Sequence, residues 1–264
     1  MVTISISNQK GGVGKTTTAV SLSAALSLMG YSVLLIDCDP QSNATVSAGV
    51  PLNSVIGSIA NVLMGSKKVR DCVLTTEHGF DVLPSTHQLT GAEVALMSEH
   101  KREWRLANAL REEQSRYDYI LIDCPPSLNI LTLNALVASN SVLVPLQCEY
   151  LALEGVSKLL KTIGVLNQSL GVNVAICGVV RTMYDGRNLL SRQVSHQLNK
   201  NFKAKLFSSI IPRNVRLAEA PSHGVPITGY DRRSQGAASY FALAAELAQR
   251  SQVTEGVLED VLNG

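Results

Sequence analysis

The chain has 264 residues, of which 45% are apolar and 17% charged, with a net charge of +2. This balance fits one ordered α/β domain with a sizeable core, excludes an intrinsically disordered chain, and by itself says nothing for or against nucleic acid. Five scattered cysteines (Cys38, Cys72, Cys124, Cys148, Cys177) with no Cys-x-x-Cys pair give no support to a disulfide framework or a zinc site, and a reducing cytoplasm is the expected setting.

The first residues, MVTISIS, alternate like a strand over Thr3 to Ser7 and lack the basic start, apolar stretch and small-residue cleavage site of a secretion signal. Further strands are expected at Ser32 to Asp37, Asp118 to Asp123, Ser141 to Leu146, Asn173 to Val180 and Leu206 to Ile211. Helices are expected at Lys15 to Met29, Asn129 to Ala138, Leu151 to Ser169 and Leu189 to Phe202. Runs such as VLLID and YILID are apolar at every position, as strands buried on both faces must be. The expected fold is therefore α/β and doubly wound, a mostly parallel sheet with helices on both faces. No repeat or linker divides the chain, and the apolar stretch Ile130 to Leu146 is too interrupted by Asn134, Ser139, Asn140, Ser141 and Pro145 to span a membrane.

Between the first strand and first helix stands GGVGKT, residues 11 to 16. Glycines there let backbone N–H groups curl around phosphates, the helix N-terminus adds its dipole, Lys15 can neutralise the β- and γ-phosphates, and Thr16 can offer a hydroxyl to Mg²⁺. Two more strands end in aspartates, LLIDCDP (Asp37, Asp39) and LIDCPP (Asp123). Carboxylates at strand ends beside a phosphate loop can hold Mg²⁺ through its waters and orient a hydrolytic water, although Asp before Pro also serves as an ordinary turn former.

KGGVGKTT (10–17), DCDPQSN (37–43), LIDCPPS (121–127) and IIPRNVRLAEAPSHGVPI (210–227), in that order from about Met1 to Leu247, resemble the ParA/Soj partition ATPases, P-loop NTPases of the deviant Walker A type. The resemblance implies a P-loop ATPase domain over residues 1–250, with ATP and Mg²⁺ as cofactors and slow intrinsic hydrolysis. It assigns Lys15 to the phosphates of its own subunit, Thr16 to Mg²⁺, Asp39 to the attacking water and the metal's surroundings, and Asp123 to the Walker B role. Gly11, Gly12, Val13, Gly14 and Thr17 complete the loop. It also implies that Lys10, the extra lysine, reaches the phosphates bound by a second subunit in an ATP-dependent homodimer, and that Pro212 borders the adenine. The family usually has glycine where this chain has Ser42, a departure expected to affect the loop subtly.

From Arg181 to Arg216, eight basic residues face one acid, Asp185, a local charge of +7 that leaves −5 for the remainder. Such a face can bind DNA without reading sequence, or be an ordinary solvated surface. The family resemblance favours DNA and matches Arg187 and Arg216, with Arg213, Lys200, Arg232 and Arg233 as weaker candidates. It further implies a ParB/Spo0J-type partner and a nucleoid-associated, cytoplasmic protein. A membrane-cycling ATPase resembling MinD is disfavoured, since Ser251 to Gly264 carries three acids and no Lys or Arg, and no stable membrane association is expected. An electron-transfer ATPase resembling the nitrogenase iron protein would need cluster cysteines in other surroundings. Residues 251–264 read as a short acidic helical tail. Trp104, in KREWRLANALREE, reads as a packing anchor on an amphipathic helix.

Overall fold

The computed structural model describes residues 1–113 and 115–262, with side chains through residue 251. In chain order the elements are β1 (Val2–Ile6), α1 (Lys15–Leu28), β2 (Val33–Asp37), α2 (Asn43–Ser47), α3 (Ile59–Leu63), β3 (Leu74–Thr75), β4 (Asp81–Leu83), α4 (Gln88–Leu96), α5 (Arg105–Leu110), β5 (Tyr119–Asp123), α6 (Ile130–Val137), β6 (Ser141–Gln147), α7 (Ala152–Leu170), β7 (Ala175–Tyr184), α8 (Leu189–Phe202), β8 (Leu206–Pro212), α9 (Val215–Glu219), α10 (Ile227–Tyr230) and α11 (Gln235–Leu262).

The strands form one sheet in the order β3-β4-β2-β5-β1-β6-β7-β8. Every pairing is parallel except the short β3–β4 edge. Alternation along the strands explains why these runs contain no polar face. Leu35 and Leu121 point into a core shared with α1 and α11, while Leu34, Ile36, Ile120 and Ile122 point into a second core under α3 to α6. A third cluster packs Val142, Val144 and Val179 beneath α7 and α8.

The chain moves outward from β1 to β2, returns to β5 on one flank of β1, then crosses to β6 on the other. Such a reversal leaves a crevice at the carboxyl ends of the strands. Register brings the right residues to it: Asp37 pairs with Asp123, and Asp123 with Ile6, the last residue before the phosphate loop.

Several elements differ from expectation. β3 and β4 are two and three residues long and lie in a region where no strand was expected. The C-terminal helix does not begin near residue 251: α11 starts at Gln235 and packs on α1 and β8 through Tyr240, Leu243, Ala244 and Leu247. Its acidic part, 252–262, continues the helical backbone, and its side chains together with residues 263 and 264 lie outside what is described. Trp104 closes a 3-10 turn, Arg102–Trp104, ahead of the short α5 and packs half-buried against the third core cluster.

Candidate functional site

The phosphate loop is built around two backbone requirements. Gly12 (φ 74°) and Gly14 (φ 86°) are left-handed, a conformation that costs other residues about 1 kcal/mol or more. A Cβ at Gly11 or Gly12 would meet no atom within 4 Å, so the concave side of the loop is open. Asn8 sets the loop's entry, donating to Pro145 O at 2.8 Å and accepting from Lys10 N at 3.0 Å. Val13 is buried, and its carbonyl accepts from Thr182 Oγ1 at 2.8 Å.

Lys15 is buried, and its ammonium donates to Lys10 O at 3.3 Å. Burial lowers its pKa, opposed by the charges of Asp123, Cys124 and Asp39. Thr16 Oγ1 donates to Asp123 Oδ2 at 2.7 Å. Asp123 is wholly buried, and its Oδ1 has no hydrogen-bond partner. Burial and the neighbouring Asp37 push the Asp123 carboxyl well above the carboxylate range, against the Thr16 hydrogen bond and Lys15. An orphaned carboxylate oxygen beside a threonine hydroxyl is the donor set a hydrated Mg²⁺ needs, so the residues fit that ion. Among the described residues no group of three His, Cys, Asp or Glu could hold a metal alone, which leaves phosphate oxygens and water as the remaining ligands.

Asp37 and Asp39, two residues apart, stand in different settings. Asp37 is buried beneath the loop: its carboxylate accepts from Thr45 N, Thr45 Oγ1 and Asp39 N. Its pKa rises to about 6 through burial, partly offset by these bonds. It braces α2. Asp39 is half-buried and faces the cleft, with Oδ1 accepting from Gln41 N at 2.9 Å. Ser42 has φ 57°, so the turn into α2 is left-handed, a conformation glycine adopts at least cost.

A cleft of about 730 Å³ collects Gly11, Gly12, Gly14, Lys15, Thr16, Thr17 and Asp39. Beside it, a pocket of about 250 Å³ is lined by Gly14, Thr17, Thr182, Ile211, Pro212, Asn214 and Tyr240. Pro212 therefore lies where a base attached to loop-bound phosphates could rest. Met183, left-handed at φ 48°, borders both compartments and was not singled out from the sequence. Glu93 and Asn129 are further cleft residues that no motif announced. Lys10 sits at the rim, exposed, in an ion pair with Glu149 of its own chain.

The basic stretch divides. Arg181 is half-buried and donates to Ser195 Oγ, Phe207 O and Ser208 O, a structural role. Arg187, Arg213 and Arg216 lie at the carboxyl ends of the strands, the end that carries the cleft. Arg187 is 93% exposed and paired with Asp185, while Arg216 is paired with Glu219 and approaches Asp231 at 3.6 Å. Lys200, Lys203 and Lys205 lie around the far end of α8, Lys200 about 17 Å along the helix from its first residue, Leu189, at 1.5 Å per residue, whereas Arg187 precedes the helix. Arg232 and Arg233 are exposed on the turn before α11.

Against this geometry, a family model described as an AAA domain matches residues 1–176. The sporulation initiation inhibitor protein Soj of Bacillus subtilis is 50% identical over 93% of this chain and 97% of its own length. The chain belongs to the ParA/Soj family of partition ATPases. The chromosome partitioning protein ParA of Myxococcus xanthus is 48% identical, covering 94% of this chain and 88% of that protein. Among solved structures, the fold matches cobyrinic acid a,c-diamide synthase of Mycobacterium smegmatis with a bound ATP analog and magnesium (TM-score 0.83, 35% identity, 96% of each chain). It also matches the cell-division ATPase MinD of Pyrococcus furiosus (TM-score 0.78, 26% identity, 94% of this chain and 98% of that one). The family is thus shared with the ParA/Soj proteins, and the fold with MinD as well.

Proposed function

We propose that this chain is a DNA-segregation ATPase, a switch that dimerises with ATP, binds DNA without reading sequence, and is reset by hydrolysis stimulated by a ParB/Spo0J-type partner. The observation that carries the reading is the convergence of Lys15, Thr16 and Asp39 on one cleft, with buried Asp123 hydrogen-bonded to Thr16 and a second, exposed lysine, Lys10, next to the first cleft residue of the loop, Gly11. In this reading Lys15 and the loop amides hold the phosphates, and Thr16 with Asp123 holds Mg²⁺, which supplies charge neutralisation at the γ-phosphate. Asp39 orients the attacking water, Pro212 contacts the base, and Lys10 serves the partner subunit's nucleotide.

Exposed apolar side chains following Glu149, the ion-pair partner of Lys10, and at the start of α8 support a dimer face on this side. Tyr150 is 84% exposed, Leu151 61% and Leu189 60%, and α8 meets the loop after β6 through Ser191 Oγ donating to Cys148 O. Arg187, Arg213 and Arg216 form the preferred DNA contacts, with Lys200 secondary. No helix among the described residues is long and apolar enough to cross a membrane, and a cytoplasmic, nucleoid-associated location follows from the reading.

The test is DNA binding measured with ADP and with ATP at two salt concentrations. Binding should require ATP and fall steeply with salt, as counterion release demands. Equal binding with either nucleotide would overturn the switch. Lys15→Ala should abolish ATP binding, and Asp39→Ala should accumulate an ATP-bound dimer.

A further inference from the structure

The nucleotide cleft contains a carboxylate outside every motif. Glu93, on α4, lines the same cavity as Lys15, Thr16 and Asp39. That cavity is lined by Asp39 and Gln41 of the loop after β2 and Asn43 at the start of α2, by Thr90 and Glu93 of α4, and by Pro125, Pro126, Ser127 and Asn129 of the segment after β5. Asp39 and Glu93 are the two carboxylates among the described lining residues.

Glu93 is held in place. Its Oε1 accepts from Asn129 Nδ2 at 2.6 Å, and Asn129 Oδ1 accepts from Thr132 N at 3.1 Å, capping α6. The amide is oriented from both ends, so α4 is tied to the loop that follows Asp123. Glu93 Oε2 makes no hydrogen bond and Glu93 no ion pair among the described residues. Bound polyphosphate would repel this carboxylate, so Glu93 works against nucleotide affinity. A group that opposes ground-state binding yet is anchored in the cleft is suited to act in the reacting state.

We propose that Glu93 is a further catalytic residue for ATP hydrolysis, its free oxygen accepting a hydrogen bond from the attacking water that Asp39 orients in the same cavity. The proposal rests on the reading of the chain as an ATP hydrolase. The water oxygen forms the new bond to the γ-phosphorus while the bond to the β,γ-bridging oxygen breaks and leaves its electron pair on ADP. One water proton stays on the phosphate, and the other passes through Glu93 to solvent.

The experiment compares the full chain with Glu93→Gln and Glu93→Ala, measuring ATP affinity by equilibrium titration and hydrolysis in single turnovers. Both variants should bind ATP at least as tightly as the parent and hydrolyse it at least about ten-fold more slowly. Glu93→Gln separates chemistry from architecture, because its amide oxygen can still accept from Asn129. If that variant restores the parental rate while Glu93→Ala does not, Glu93 only braces the wall and the proposal fails. It fails equally if both variants hydrolyse ATP within about two-fold of the parent, or if both lose ATP binding. A parent chain that neither binds nor hydrolyses ATP would instead overturn the functional reading itself.

Discussion

Lys10 and Glu149 form an ion pair within one chain, joining the start of the phosphate loop to the loop after β6. A lysine that serves a second subunit must first leave this partner. Both side chains are about half exposed, at 52% and 44%, so the pair is worth at most about 1 kcal/mol, or roughly five-fold in an equilibrium constant. Glu149→Gln should therefore shift ATP-dependent dimerisation to lower protein concentration by up to about five-fold, readable by sedimentation with a non-hydrolysable ATP analogue. Lys10→Ala should still bind ATP but fail to dimerise or to hydrolyse it. If Glu149→Gln weakened the dimer, Glu149 would belong to the interface and not to a restraint on Lys10.

Separation of the basic stretch into two groups gives the second prediction. Replacing Arg187 by Glu beside Asp185 changes the local charge from neutral to −2 at a 93% exposed position on the cleft end. DNA affinity should fall by more than about ten-fold, with a shallower dependence on salt. Lys200→Glu, at the other end of α8, should change affinity by no more than about three-fold. Equal losses would mean that DNA follows the full length of the helix. Titration of a labelled duplex by each variant with ATP distinguishes these outcomes.

These outcomes bear on what a linear sequence can disclose. The phosphate loop was legible because phosphate binding dictates glycine backbone, lysine and threonine at fixed spacing, and the structure puts Gly12 and Gly14 in the left-handed region. Asp37 and Asp123 were legible as strand-end carboxylates, but only register and burial reveal that Asp37 braces α2 while Asp39 faces the cleft. β3 and β4 were not legible, since two or three residues cannot display a period. α11 was legible in principle, with Tyr240, Leu243, Ala244 and Leu247 spaced i, i+3, i+4, i+7 along the face that packs on α1. Glu93 had no motif at all, and the fold alone carries it into the cleft.

Ser42 supplies a third prediction. Its φ of 57° is a left-handed conformation, its side chain does not cap α2, and it is buried. Glycine would relieve strain of about 1–2 kcal/mol, while greater freedom of the unfolded chain takes back up to about 1 kcal/mol. Ser42→Gly should leave the chain about 0.5–1 kcal/mol more stable, raising Tm by roughly 1–4 °C in a domain of this size. A lower Tm would show that the buried hydroxyl contributes more than the backbone strain costs.

Glu246 anchors α11 to the edge of the sheet. Its carboxylate accepts from Ser208 N and Ser209 N, each at 2.9 Å, from Ser209 Oγ at 2.8 Å and from Arg250 Nη2 at 2.8 Å. Arg250 in turn donates to Leu206 O at 2.8 Å and lies 4.0 Å from the Phe207 ring centroid. Burial pushes the Glu246 pKa up, but the bonds from Ser208, Ser209 and Arg250 outweigh it and hold the group below its ordinary value of 4.5. A depressed carboxyl pKa stabilises the fold fully above the unfolded value, and the contribution disappears as pH falls through the lower, folded value. Glu246→Gln keeps one acceptor oxygen but turns an amide N–H toward the donors of Ser208 or Ser209, at a cost of about 2–3 kcal/mol. Thermal unfolding at pH 7 should therefore show Tm lowered by roughly 4–10 °C. The gap between parent and variant should narrow below about pH 4.5, as the parent's carboxylate is protonated. A gap that stayed constant into acid would mean that Glu246 acts through packing and not through its charge.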